Sequence, residues 1–380
     1  MLRRALLGLI LIGVVAVGGS QGDALFSPLS QIYQIIHSHY YRAADVTDTQ
    51  LLYGAIQGMI DALGDPYSTF FPPEEYTRWQ DSLSGEYSGV GMEITIRDGR
   101  VTVVSPLPGT PAEAAGILPG DWIQAVDGES TEGWTLEQAS MRIRGPEGTT
   151  VTLTVQHPDG TVEEITLVRQ RIHVEAVRSR YLAEERVGYV RILRFDFETA
   201  ALLGKALYAF PLQELSGLVI DLRNNPGGIL SAAVEAASFF VDQGAVVRTR
   251  GPSFGERSYP SRGNALPNLP LAVLVNEGTA SASEIMAGAI QDHGMGVLVG
   301  RKTFGKGLIQ EIVMRLPDGG AIKLTTGEYF TPSGRPVQDV GLTPDIPVEK
   351  GPATGDGDDP DLGAALAWIR ERAAQPVSTH

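Results

Sequence analysis

Leu271-Ala272-Val273-Leu274-Val275-Asn276-Glu277-Gly278-Thr279-Ala280-Ser281-Ala282-Ser283-Glu284-Ile285 passes from an unbroken apolar run, through a short polar turn, into a helical pattern. A strand without polar alternation is covered on both faces, as in a sheet sandwiched between helices. Leu218-Val219-Ile220 reads the same way and also precedes a helix. Outward from these two runs, strand and helix alternate. Strands are expected at Val187 to Leu193, Leu218 to Asp221, Leu271 to Val275 and Gly296 to Val299. Helices are expected at Thr199 to Leu215, Ile229 to Phe240 and Ala282 to Gln291. The alternation predicts a layered α/β domain over residues 173–350. Two more strands follow, Ile309 to Leu316 and Ala321 to Phe330. Residues 351–380 read as an acidic, Gly/Asp-rich linker and a last helix around Leu362 to Arg372.

Upstream of this domain the period changes. From Gly85 to Ile172 apolar residues alternate, as in Val90, Met92, Ile94 and then Val101, Val103 around an Arg97-Asp98-Gly99 turn. A helix at Thr135 to Ile143 and paired strands at Thr150 to Gln156 and Val162 to Val168 complete a compact unit over 85–172. Residues 27–84 read as a helical arm, with Leu51, Leu52, Ala55, Ile56, Met59, Ile60 and Leu63 on a 3.6-residue period. A second arm helix is expected from Pro72 to Leu83. Residues 1–22 open with Arg3 and Arg4 and run uncharged to Gly22, the layout of an export leader or signal anchor.

Composition narrows the function. Of the 380 residues 20% are charged and 43% hydrophobic, which suits a globular chain of more than one domain. A net charge of −15 opposes a phosphate backbone, so nucleic acid is not an expected partner. With no cysteine there is no disulfide, thiolate metal site or cysteine nucleophile.

Three loops carry candidate chemistry. Ser281 sits where a buried strand hands over to a helix, whose N-terminal N–H groups favour developing negative charge. Its spacing to Glu284 is also that of a capping box. His293, beside Gly294, reads as a helix C-terminus rather than a base. Lys306, between Gly305 and Gly307, serves as a base only if burial lowers its pKa from about 10.4; in a solvated turn it would do nothing. Gln310 supplies an uncharged hydrogen-bonding group four residues on. Asp221-Leu222-Arg223-Asn224-Asn225-Pro226-Gly227-Gly228 also leaves a strand end, where open α/β sheets place their sites. Gly227 and Gly228 permit close approach of backbone N–H groups to a ligand.

Taken in order, these segments resemble the carboxyl-terminal processing peptidases, serine peptidases with a Ser/Lys dyad and an inserted PDZ domain. Gly64-Asp65-Pro66-Tyr67-Ser68, Ala114-Ala115-Gly116-Ile117-Leu118-Pro119-Gly120-Asp121 and Ile143-Arg144-Gly145-Pro146-Glu147-Gly148-Thr149 belong to the match. So do Thr303-Phe304-Gly305-Lys306-Gly307 and Thr331-Pro332-Ser333-Gly334-Arg335. The resemblance implies a crotonase-like core with Ser281 as nucleophile, Lys306 as general base and Gln310 orienting the lysine. It implies an oxyanion hole from the Ala282 amide and one of Gly227 or Gly228, and no metal or organic cofactor. In the PDZ-like unit, Gly89, Val90, Gly91 and Met92 are expected to capture a terminal carboxylate, and Arg144 to couple that event to the active site. The expected partners are proteins or peptides with free C-termini. Membrane attachment through the N-terminal segment and homodimerisation are further expectations. The rival is a PDZ-bearing scaffold protein with an inactive peptidase domain. A hydrolase of the penicillin-binding type is disfavoured, because Ser281 is followed by Ala-Ser-Glu and not by Ser-x-x-Lys.

Overall fold

The computed structural model describes residues 21–83, 86–97, 99–107, 109–134, 136–173, 176–266, 269–349 and 359–374. Of the leader read over residues 1–22, residues 1–20 lie outside these. Among the described residues no helix is long and apolar enough to cross a membrane. The chain divides into two compact units, Met1–Phe70 and Phe71–His380.

The first unit contains α1 (Gln21–His39) and α2 (Asp48–Asp61). Thr47 and Gln50 start α2 with a reciprocal box: the Thr47 hydroxyl accepts from Gln50 N–H, and Gln50 Oε1 accepts from Thr47 N–H. Tyr53 of α2 meets Phe70 edge-on.

The second unit opens with α3 (Pro73–Leu83) and then β1 (Glu86–Gly89). The period-two region follows as β2 (Met92–Arg97), β3 (Arg100–Pro106), α4 (Pro111–Ala114), β4 (Trp122–Val126), α5 (Leu136–Ile143), β5 (Thr150–Gln156) and β6 (Val162–Val168). β7 (Gln170–His173) returns to pair antiparallel with β1, so one two-stranded ladder carries both connections to this domain. Its main sheet runs β2-β3-β4-β5-β6. The alternation seen in sequence is a real inside and outside: Val101, Val103, Ile123, Val151, Leu153 and Val155 fill the core.

The remaining elements are β8 (Val177–Leu182), β9 (Val187–Ile192), α6 (Thr199–Tyr208), β10 (Gly217–Asp221), α7 (Leu230–Ala237), β11 (Ala245–Gly251) and β12 (Gly255–Pro260). After them come β13 (Leu271–Val275), α8 (Ala282–Asp292), β14 (Val297–Gly300), β15 (Leu308–Arg315), β16 (Ala321–Phe330), β17 (Ile346–Pro347) and α9 (Pro360–Ala373). One sheet has the order β8-β9-β10-β13-β14-β17, parallel from β9 onward. Every residue of β10 and β13 is buried, as their unbroken apolar runs require. Ile220 and Val273 pack with Leu203, Leu207, Ala233, Ile285 and Met286 from α6, α7 and α8. Val219 and Leu274, one residue over, pack with Ala365 and Ile369 of α9 on the other face.

The differences from expectation are local. The helix expected to reach Leu215 stops at Tyr208, because Phe210 precedes Pro211 and a residue before proline is pushed out of the helical region. The hairpin of β11 and β12, not anticipated, joins β16 and β15 in a second sheet. By register β11 and β15 both face Glu328, on opposite edges of β16. In the main sheet Asp221 lies beside Leu274, so the loops after β10 and β13 leave from the same edge.

Candidate active site

Ser281 lies between the end of β13 and the first residue of α8, with φ 55° and ψ −119°. A left-handed φ on a residue with a side chain costs of order 1–3 kcal/mol and persists where its surroundings hold it. An ordinary N-cap is extended, so capping alone does not account for this backbone. What holds it is Glu284: one carboxylate oxygen accepts from Ser281 N–H at 2.9 Å.

Glu284 does more than complete one half of a capping box. The same oxygen accepts from Lys306 N–H at 3.0 Å, and the other from Gly305 N–H at 2.8 Å and Thr303 Oγ1 at 2.5 Å. The residue is fully buried. Burial pushes its pKa up, and the four donors pull the other way. A single carboxylate therefore pins the backbone of Ser281 to the turn that carries Lys306. Tyr329, 2% exposed, repeats the tie from another side: its hydroxyl lies 3.0 Å from the Ser281 carbonyl oxygen and 2.6 Å from that of Lys306.

The Lys306 side chain is half-buried, and burial lowers its pKa from the ordinary 10.5. That is the condition under which an amine is neutral enough to accept a proton. Gly305 beside it has φ +88°, and a Cβ there would come 2.9 Å from the Gly341 nitrogen, so the turn closes only with glycine. Gln310, in β15, has a buried Nε2 with no hydrogen-bond partner among the described residues.

In the loop after β10 the two glycines are no longer equivalent. Gly227 N–H donates to Asn225 Oδ1 at 2.9 Å. Gly228 forms a parallel bridge with Phe195 through its neighbours, with Phe195 N–H to Gly227 O and Ile229 N–H to Phe195 O. Its own N–H has no acceptor among the described residues. Ala282 N–H, the first of α8, is likewise outside the intrahelical ladder. Asn225 is completely buried and stitches the two loops together. Its Nδ2 donates to Ile192 O, and its carbonyl accepts from Ala280 N–H and Ser283 Oγ. Arg223 extends the stitching outward, donating to Asp221 within the loop and to Asp359, the N-cap of α9.

A cavity of about 320 Å3 opens beside these groups. Ser281, Ala282, Gly228 and Gln310 line it with apolar Trp79, Phe197, Ile229 and Leu308. The expected PDZ residues form a separate groove of about 40 Å3 between Gly89, Val90, Gly91 and Met92 on one side and Ser140, Ile143 and Arg144 on the other. The Val90 carbonyl accepts from Ala112 N–H and the Gly91 carbonyl from Leu107 N–H. Because a trans peptide sends its N–H opposite to its C=O, the Gly91 and Met92 amides point away from those donors. Gly91 has φ +78°, and a Cβ there would meet Thr110 at 2.3 Å. The Arg144 guanidinium stacks 4.4 Å over the Tyr87 ring, on the ladder strand β1.

Sequence reasoning passed over Glu284, Asn225 and Tyr329. Glu284 was visible only as a capping partner. Its other donors lie about twenty positions away and carry no local signal.

Residues 186–348 match peptidase family S41, residues 102–157 match the PDZ domain, and residues 18–74 match the N-terminal domain of the activating protease CtpB. A carboxy-terminal-processing protease of Bartonella bacilliformis is 40% identical over 84% of this chain and 74% of its own length. A carboxyl-terminal-processing protease of Picosynechococcus is 42% identical over 79% of this chain and 73% of its own. Among solved structures, the photosystem II D1 C-terminal processing protease is similar with a TM-score of 0.58 at 30% identity, over 92% of this chain and 97% of that one.

Proposed function

This chain belongs to peptidase family S41 as a PDZ-bearing, carboxyl-terminal-processing serine protease, and on that premise we propose that Ser281 and Lys306 are its catalytic dyad. The observation that carries the assignment is the Glu284 carboxylate, which holds the backbones of both residues at once. Neutral Lys306 takes the Ser281 hydroxyl proton as the oxygen attacks a substrate carbonyl, and returns it to the leaving amine. Water then releases the acyl group by the same proton path. The oxyanion falls to Ala282 N–H and Gly228 N–H; Gly227 is set aside because its N–H is spent on Asn225. Gln310 steadies the lysine through its amide oxygen without adding a charge that would raise the pKa again.

The substrates are proteins or peptides with flexible, free C-termini. Gly91 and Met92 amides receive the terminal carboxylate, and the tail adds a strand beside β2. Arg144, stacked on Tyr87, relays occupancy to the ladder that joins the PDZ domain to the core. The enzyme is exported, with residues 1–22 as a leader or an anchor in the cytoplasmic membrane; fractionation that left the intact protein in the cytoplasm would refute this part.

An unstructured protein with a free C-terminus, incubated with the enzyme, is cut, and Ser281→Ala stops the cutting with the fold retained. A scaffold with a dead peptidase domain would instead bind the tail and leave it whole.

A further inference from the structure

Two of the outer strands of the second sheet have opposite characters. β12, at one edge, is exposed along most of its length, carries Glu256 and Arg257 and ends in Pro260. Charge and proline are the usual devices that keep an edge from pairing with another chain. β15, on the edge of β16 opposite β11, pairs only with β16 among the described residues, so its outer backbone is open. It keeps Glu311 and Arg315, yet Val313 and Met314 are 48% and 55% exposed. Bulges interrupt it between Ile309 and Gln310 and between Ile312 and Met314, a feature that recurs beside active sites.

The open edge continues into the cavity of Ser281, which Leu308, Ile309 and Gln310 line with the first residues of the strand. There the Gln310 Nε2 is a buried donor without an acceptor among the described residues. A buried amide donor left unmade is costly, by about 1–3 kcal/mol, so an acceptor is expected to arrive with a ligand.

We propose that the free edge of β15 receives an extended segment of the substrate polypeptide as an added strand, with Gln310 Nε2 donating to one of its carbonyls. The proposal rests on the peptidase reading and names the surface that presents the chain to Ser281. Strand addition spends main-chain hydrogen bonds, which every unfolded segment offers whatever its sequence. Val313 and Met314 supply apolar contact for alternate side chains of the guest. Eight residues at about 3.3 Å each give a track of about 26 Å on one side of the scissile bond. A folded substrate has its backbone groups already paired and cannot use it. The PDZ groove selects an end, and β15 requires that what lies near that end be unfolded.

The test is a scan of backbone N-methylation along a peptide of about twelve residues that the wild-type enzyme cleaves. Removing one N–H at a time lowers kcat/KM by about tenfold at every second residue along one side of the cut, and by less than about twofold between them. A flat scan with the parent peptide still cleaved overturns strand addition and leaves the dyad untouched. If the wild-type enzyme cleaves no unstructured peptide at all, the peptidase reading falls and this inference with it. Met314→Glu, with an unchanged circular dichroism spectrum, raises KM by about tenfold on a long unfolded substrate and leaves a four-residue reporter unaffected. Equal loss on both substrates overturns the proposal.

Discussion

The region of the proposed dyad and the PDZ groove are built from the same kinds of residue to opposite ends. Around Ser281 the backbone is held from several directions at once. Glu284 takes four donors, Asn225 binds on both sides of its amide and through its carbonyl, and Tyr329 reaches two carbonyls. The groove between β2 and α5 is narrow, about 40 Å3 against 320 Å3 at the dyad, and its domain joins the core through the β1 and β7 ladder. Chemistry needs atoms held within a few tenths of an ångström, whereas reading a tail needs a slot that a strand can enter. The first region is pinned from many sides; the second is a slot on a domain carried by one ladder.

The largest expected effects lie on the rigid side. Ser281→Ala and Lys306→Ala each lower kcat by at least about a thousandfold on any peptide, because dyad members act as a unit. Lys306→Arg does not rescue, since a guanidinium stays protonated; recovered turnover would remove Lys306 as the base. Glu284→Gln keeps the shape but replaces one acceptor oxygen by a donor facing N–H groups. Its kcat falls by about a hundredfold with KM little changed, and unfolding in urea shows a loss of about 3 kcal/mol. If kcat is unchanged, the rigid half of the comparison is wrong.

At the PDZ groove the expected effects are smaller and depend on the substrate. Gly91→Ala, which sets a Cβ against Thr110 at a left-handed φ, lowers kcat/KM about tenfold on a protein tail and leaves a short peptide that bypasses the groove unaffected.

The two regions also separate by pH. Burial lowers the Lys306 pKa, so kcat/KM rises with pH and levels off below the ordinary lysine value of 10.5. A rate flat between pH 5 and 9 would contradict that. His157 of the PDZ domain is raised above 6.5 by its hydrogen bonds to Glu163 and Asp121, at 2.8 Å each. A histidine raised on folding stabilises fully below 6.5 and loses that contribution as pH climbs through its folded pKa. Resistance of the PDZ domain to heat therefore falls across that range while the rate is rising. His157→Gln abolishes the drop.

Much of this was legible from patterning. The unbroken apolar runs of β10 and β13 announced a covered parallel sheet, and their polar ends announced where its loops would meet. Ser281, Lys306 and Gly228 were each visible as residues at a strand end or between glycines. Their convergence was not, because it depends on Glu284, Asn225 and Tyr329, which touch residues about 20 to 60 positions away. The choice between Gly227 and Gly228 was open for the same reason: it turns on one amide bond to Asn225. The β11 and β12 hairpin escaped notice because the exposed strand β12 has almost no apolar pattern to read.

Arg223 reaches from the loop beside Ser281 to Asp359 and Asp361, residues 136 and 138 positions further along the chain. Both acids belong to the start of α9, which covers one face of the central sheet. On a growing polypeptide the loop is thus written long before the residues that brace it.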